Sequence, residues 1–232
     1  MNDLEHFATA RQVPAKPVKA KAKAVKVSRI NDPVRTMTGI LEVATQEFAS
    51  KGLSGGRIDA IAEATRTSKR MIYYYFGSKE GLYLAVLEES YRKMRQIESE
   101  LQLDDLEPEQ ALRALVEFTF DHHSSHEDYI RLVMNENMER GAYLAQSKTI
   151  RELNVPAIQA IQRLYERGVK SGLFRAGLDP VDIHASISAL TFFNVSNRHT
   201  FGLIFKNSGK RAEAAVLRRA SITDMVLRFL RS

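Results

Sequence analysis

The 232-residue sequence predicts an all-α protein. Three observations carry this. From Thr36 onward the apolar residues recur three and four apart, which lines one face of a helix. No stretch of any length alternates apolar and polar residues as a half-buried strand does. The apolar runs are cut by glycine, proline and asparagine–serine clusters, the usual punctuation between helices. There is no internal repeat, no GxGxxG pattern and no P-loop.

Charge divides the chain before the helices begin. Residues 1–30 hold seven cations (Arg11, Lys16, Lys19, Lys21, Lys23, Lys26 and Arg29) against Asp3 and Glu5, which leaves the other 202 residues at +1 of the total +6. Val13 to Val27 carries two prolines, alternating lysines and no large apolar residue, so 1–30 is expected to be a disordered basic tail. Such an arm suits a polyanion, or is a leader with little function. Cysteine is absent, which excludes disulfides, thiolate metal sites and a cysteine nucleophile. The N-terminus lacks the apolar region of a signal peptide. The most apolar stretch, Ile183 to Phe205, carries Asn194, Asn197, Arg198 and His199, so no membrane span is expected. The location expected is cytoplasmic.

Asn31-Asp32-Pro33 marks the entry into structure. Met37, Ile40, Leu41, Ala44 and Phe48 give a first helix that Lys51-Gly52 ends, Gly52 being placed for a left-handed cap. After the Ser54-Gly55-Gly56 turn, Ile58, Ile61 and Ala62 make a helix of about two turns. Thr65 to Thr67 breaks it. The Ser68 hydroxyl can cap a third helix with Met71, Ile72 and Tyr75 on its inner face, closed by Gly77. Ser78 caps a fourth helix, whose Leu82, Leu84, Ala85, Leu87, Tyr91 and Met94 carry it to about Leu101. Asp104 to Pro108 is a polar break. Helices are expected beyond it at roughly 108–125, 128–140, 143–172, 180–206 and 211–231, with Pro156 kinking or dividing the third. The organisation expected is a reading domain over 31–77, a connecting helix over 78–101 and a second domain over 105–232.

The most informative segment is Ser68 to Lys79, which sets Lys69 and Arg70 beside Tyr73, Tyr74 and Tyr75. A buried helix does not hold adjacent cations, and a solvated one does not spend three tyrosines. A short helix against a nucleic-acid backbone uses both. Two short helices joined by a turn, between two longer ones, form a helix-turn-helix layout. The residues resemble the TetR family of bacterial repressors over about 33–90. The matching features are Ile61-Ala62-Glu63-Ala64, Ser68-Lys69, the Tyr73 to Phe76 run and Ser78-Lys79-Glu80-Gly81-Leu82. The resemblance implies a three-helix helix-turn-helix domain followed by a helical ligand-binding and dimerisation domain. It implies double-stranded DNA as a partner, on a pseudo-palindromic operator, and a small-molecule effector that reorients helix four. It also implies a homodimer through the last two long helices, here with Val216, Ile222, Met225, Val226, Phe229 and Leu230 as the apolar surface. The C-terminal half looks most like regulators of small aromatic or N-heterocycle catabolism.

On this reading Ser68 to Tyr75 is the recognition helix. Lys69 and Arg70 can donate to guanine edges, and Met71 can meet a thymine methyl. Family correspondence puts Tyr73, Tyr74 and Tyr75 at or near phosphates, although packing is the alternative for Tyr75. Lys79 holds a phosphate, and the helix starting at Ser78 aims its amides at the backbone. Arg66, Lys69, Arg70 and Lys79 have no acid between them in sequence. Two positions depart from the family pattern. Arg66 stands where the turn usually has glycine, and Arg57 where the second helix opens on threonine. Each is expected to supply a phosphate contact instead.

For the effector, the candidate residues are Phe118, His122, Arg131, Asn135, Met138, Tyr165, Phe192, Phe193, Asn197 and Arg198. They combine apolar walls with polar groups that suit a small aromatic or heterocyclic ligand, and Arg131 or Arg198 could pair with a carboxylate. Plain core packing is the alternative for each aromatic. His122 and His126 stand at metal-ligand spacing with His123 beside them, but a solvated helix terminus accounts for them better. No metal, cofactor or enzymatic activity is expected. The leading reading is a ligand-responsive dimeric repressor. An activator of the same fold, a DNA-packaging protein using the basic tail and a metal enzyme are the alternatives.

Overall fold

The computed structural model describes residues 32–205 and 211–231. The expectations for the basic tail and for the Asn207-Ser208-Gly209 break fall outside these residues. Helix α1 (Pro33–Gly55) buries Ile40, Ala44 and Phe48, one per turn, and leaves helical geometry at Gly52, whose φ is 68°. Helix α2 (Ile58–Ala64) and helix α3 (Lys69–Phe76) follow, then α4 (Lys79–Ser99). Both expected serine caps form: Ser68 Oγ accepts the Met71 amide at 3.2 Å, and Ser78 Oγ accepts the Gly81 amide at 3.0 Å. A Cβ on Gly81 would lie 2.1 Å from the Phe76 carbonyl oxygen, so only glycine lets the end of α3 rest on the first turn of α4. Phe48, Ile61, Ile72, Leu82 and Tyr83 close a core beneath these helices, with Phe48 and Tyr83 edge to face at 5.3 Å.

A second core lies among α5 (Pro108–Ser125), α7 (Lys148–Lys170), α8 (Pro180–Ser196) and α10 (Arg211–Leu230). Leu112, Leu115, Leu164, Ile183, Ile187, Ile222, Val226 and Leu230 fill it. The polar break after α4 holds a 3-10 turn, Leu103–Asp105, which Arg163 grips through the Asp104 carboxylate and Arg167 through the Leu103 and Leu106 carbonyls. Among the described residues every regular element is helical apart from a single bridge between Phe174 and Arg231.

Two long helices expected from the sequence are shorter than their apolar periods. The 143–172 stretch opens with a separate 3-10 turn, Leu144–Gln146, because Ser147 caps α7 by accepting the Ile150 amide at 3.0 Å. Helix α7 then runs on through Pro156 undivided. The 180–206 stretch breaks at Asn197, with φ −106° and ψ 1°, and resumes as α9 (Arg198–Ile204). Asn197 turns its side-chain amide onto the Ser196 hydroxyl at 2.8 Å, local bonding of the kind that competes with a helical ladder.

Helix α6 (Glu127–Met138) joins the two halves. Its Leu132 enters the core under α1, together with Ile150 of α7. Its polar face holds the end of α1: Asn135 donates to the Phe48 carbonyl at 3.1 Å, and Arg131 to the Ala49 and Ser50 carbonyls at 2.8 and 3.3 Å. Among the described residues no helix is long and apolar enough to cross a membrane.

Candidate nucleic-acid interface and interior cavity

Helix α3 buries Ile72 and turns the rest of its chemistry outward. Arg70 is exposed and makes no hydrogen bond or ion pair among the described residues. Tyr74 is 77 % exposed and Tyr73 also faces out, whereas Tyr75 is half-buried on the core, its ring 6.3 Å from that of Phe76. Met71 is half-buried. Arg66 stands at φ 52°, so the turn keeps its left-handed residue without glycine and leaves the guanidinium exposed. Arg57 caps α2 without a side-chain bond. Its own amide donates to Glu47 Oε1 at 3.0 Å, and its side chain is exposed.

Folding changes two of the cations. Lys69 is ion-paired with Asp59 of α2, an acid that the linear run from 66 to 79 did not contain. The hydrogen bond between them raises the lysine and lowers the carboxyl from their ordinary values. Lys79 donates to the Ser54 carbonyl at 3.2 Å and so ties the start of α4 to the end of α1.

Below this face lies a cavity of about 720 Å³. Tyr91, Met94 and Arg95 of α4, His123 of α5, and Tyr129 and Val133 of α6 line one side. Leu144, Ile150, Arg151, Asn154, Val155, Ile158 and Gln159, with His184, Ser188 and Phe192 of α8, line the rest. Of the ten residues expected to hold an effector, Phe192 alone lines it. Arg131 and Asn135 are spent on α1, and Met138 is 80 % exposed. Tyr165 donates to the Arg175 carbonyl at 2.9 Å and accepts the Leu178 amide, bracing the loop before α8. Phe193 is exposed against Phe201, Asn197 breaks the helix, and Arg198 pairs with Glu127. Phe118 packs on His122, with ring centres 5.8 Å apart.

The histidines are not a solvated terminus: His122 and His123 are buried, and only His126 is exposed. His123 shares a 3.0 Å hydrogen bond with Thr191, while His122 Nδ1 has no partner among the described residues. Burial pulls His122 down to about 4, His123 to about 3 and His184 to about 4, so all three rings are uncharged at neutral pH. Tyr91 and Tyr129 meet edge to face at 5.5 Å, and burial raises both phenols. Arg95 and Glu98 form a buried ion pair on α4, where burial raises the Glu98 carboxyl. The sequence carried a signal for this pair. Arg95 and Glu98 follow Leu87, Tyr91 and Met94 on the inner face at helical spacing, and charges on such a stripe are costly unless paired.

Comparison with known proteins fits this arrangement. Residues 40–86 match the model of bacterial regulatory proteins of the tetR family, and residues 108–226 match that of the tetracyclin repressor-like C-terminal domain. The chain belongs to the tetR family. This tetR-family chain is 38 % identical over 199 residues to the HTH-type transcriptional repressor NicS of Pseudomonas putida, covering 85 % of this chain and 93 % of that one. It is 34 % identical over 139 residues to the HTH-type transcriptional repressor SCO4008 of Streptomyces coelicolor, covering 60 % and 69 %. Among solved structures, a tetR-family regulatory protein from Rhodococcus RHA1 superposes with a TM-score of 0.66 at 17 % identity, covering 84 % of this chain and 97 % of that one. The ketosteroid transcriptional regulator KstR2 of Mycobacterium tuberculosis does so with 0.62 at 19 %, covering 84 % and 95 %. The tetR-family chain is therefore a DNA-binding transcription regulator with an all-α helix-turn-helix fold.

Proposed function

We propose that this regulator is a cytoplasmic homodimeric repressor that leaves its operator when a small aromatic or heterocyclic acid fills the cavity. The observation that carries the reading is the double duty of α4. Its first turn packs on α3, and about three to four turns further on its Tyr91, Met94 and Arg95 wall the cavity. A ligand that fits only one tilt of α4 shifts the population of the DNA-reading state by its differential affinity, not by affinity alone. Helix α6 adds a second route, since Tyr129 and Val133 line the cavity while Arg131 and Asn135 hold α1.

On the reading face, Arg70 is the best-placed base reader, with Arg57, Arg66, Tyr73 and Tyr74 available to phosphates. Lys69 stays within reach of a base edge if DNA draws it from Asp59. Lys79 acts chiefly by holding α4, and the Ser78 helix start offers its amides to the backbone. One such helix reads few base pairs, so two copies on a pseudo-palindrome are needed. The apolar face of α10 supports pairing. Ile222, Val226 and Leu230 are buried within the chain, but Val216, Leu217, Met225 and Phe229 remain exposed, as does Phe193 of α8.

The test begins with selection of bound sequences from a random duplex library by the full chain, followed by gel-shift titration with and without ring acids. Recovery of an inverted repeat that a ring acid releases is expected. Binding without sequence preference would sink the repressor reading, and a monomeric mass at micromolar concentration would sink the dimer.

A further inference from the structure

Arg95 is the buried cation at the cavity wall. Its side chain is 8 % exposed, and its Nη1 is held by Glu98, which is 9 % exposed and does not line this cavity. The other edge of the guanidinium is unspent. Nη2 reaches only the Met94 sulfur, at 3.4 Å, and the buried Nε has no partner among the described residues. A buried N–H without an acceptor is unfavourable; Nε is closed off as the side chain stands, so a ligand supplies its acceptor with a small turn of the guanidinium toward the cavity.

The chain uses the same edge elsewhere to hold carboxylates. Arg163 sets Nε on Asp104 Oδ1 at 3.2 Å and Nη2 on Oδ2 at 2.9 Å. Arg219 sets the same two atoms on Asp121 Oδ1 and Oδ2 at 2.9 and 2.8 Å. This side-on fork is the geometry in which arginine best matches a carboxylate. Around Arg95 the cavity presents flat walls from Tyr91, Tyr129 and Phe192. His184 makes no hydrogen bond among the described residues, and burial keeps it uncharged. It can serve a hydroxyl or ring nitrogen, leaving Arg95 as the buried cation.

We infer that the cavity takes a planar ring carboxylate whose acid group docks side-on upon the free edge of Arg95, with Glu98 holding the opposite side. This rests on the effector reading above and names the end of the ligand that is recognised. A neutral carboxamide of the same shape lacks the charge and offers one acceptor oxygen in place of two.

The test is calorimetric titration of the full chain with benzoate and the three hydroxybenzoates, each paired with its carboxamide. The wild-type protein is expected to bind at least one acid tenfold or more tighter than its amide. Arg95→Met alone would strand the Glu98 charge, so the variant tested is R95M with E98Q, its folding checked by retained operator binding. It should lose the acid preference, while Arg113→Gln, at an exposed α5 arginine that does not line the cavity, should keep it. Equal binding of acid and amide, an acid preference surviving in the double variant, or no binding of any acid overturns the anchor. Operator release is scored separately on the same compounds and on neutral and cationic ring analogues. Acid binding without release keeps the anchor and sinks the effector reading. Release by neutral or cationic compounds alone does the reverse.

Discussion

The reading face and the cavity keep their chemistry on opposite sides of their cores. Around Phe48, Ile61 and Ile72 the interior is almost wholly apolar, and the cations and tyrosines proposed to meet DNA lie on its outer side. Around the cavity the polarity is turned inward: Arg95, Glu98, His122, His123 and Thr191 are all buried. The difference follows from the ligands. A duplex is a large polyanion that meets a protein at its surface, whereas a small molecule is enclosed and must find its polar partners inside. The cost is unequal too. Exposed charges cost almost nothing to keep, while buried ones are tolerable only when paired.

Substitutions on the two sides should therefore fail in different ways. The largest effect on stability belongs to Arg95→Ala, which strands Glu98 in the interior and should cost about 3 kcal/mol in urea unfolding. A loss below about 1 kcal/mol would mean that the pair is solvated. Arg70→Ala should leave unfolding unchanged but weaken specific operator binding by about 1–3 kcal/mol in gel-shift titration. Unaltered affinity would remove it from the base-reading set.

Mild acid should find the cavity side first. The unfolded chain takes up protons on His122, His123 and His184 near their ordinary value of about 6.5, whereas the folded chain does so only near 4, 3 and 4. Their contribution is complete above 6.5 and is lost as pH falls toward 4, at up to about 1.4 kcal/mol per pH unit for each ring. Urea midpoints compared at pH 7 and pH 5 check the sign, and a rise on acidification would contradict it. The smallest effect is expected in the turn. Arg66→Gly relieves a left-handed arginine and should stabilise by roughly 1 kcal/mol, less the backbone entropy that glycine brings to the unfolded chain. The same variant should bind all DNA somewhat more weakly if Arg66 meets a phosphate.

The two sides also differed in how far they could be read from sequence. Helices α1 to α4, the two serine caps and the exposed tyrosines follow from residues within a few positions of one another, because caps and turns are local interactions. The Asp59–Lys69 pair was invisible because it closes across the turn, between residues ten apart in sequence. The cavity needed five helices to converge, and periodicity does not say which face meets which. Arg131 and Asn135 looked like ligand groups for this reason: a polar side chain on an apolar helix must find a partner, and the partner here is the backbone of α1. Phe192 does line the cavity, on the side of α8 that also carries His184 and Ser188. Asn197 showed its polarity in the sequence, but not that it would be used to interrupt the helix.

The hold of α6 on the last carbonyls before Gly52 bears on how such regulators can be recombined. Carbonyls near the end of a helix need outside donors, and here a distant segment supplies three of those contacts. The DNA-reading segment is therefore not a detachable cassette. A chimaera that grafts residues 33–101 onto a foreign sensor would leave Phe48, Ala49 and Ser50 to water or to mismatched side chains. Unless the transplant carries Arg131 and Asn135 with it, the graft loses the brace on the helix from which the reading helices are built.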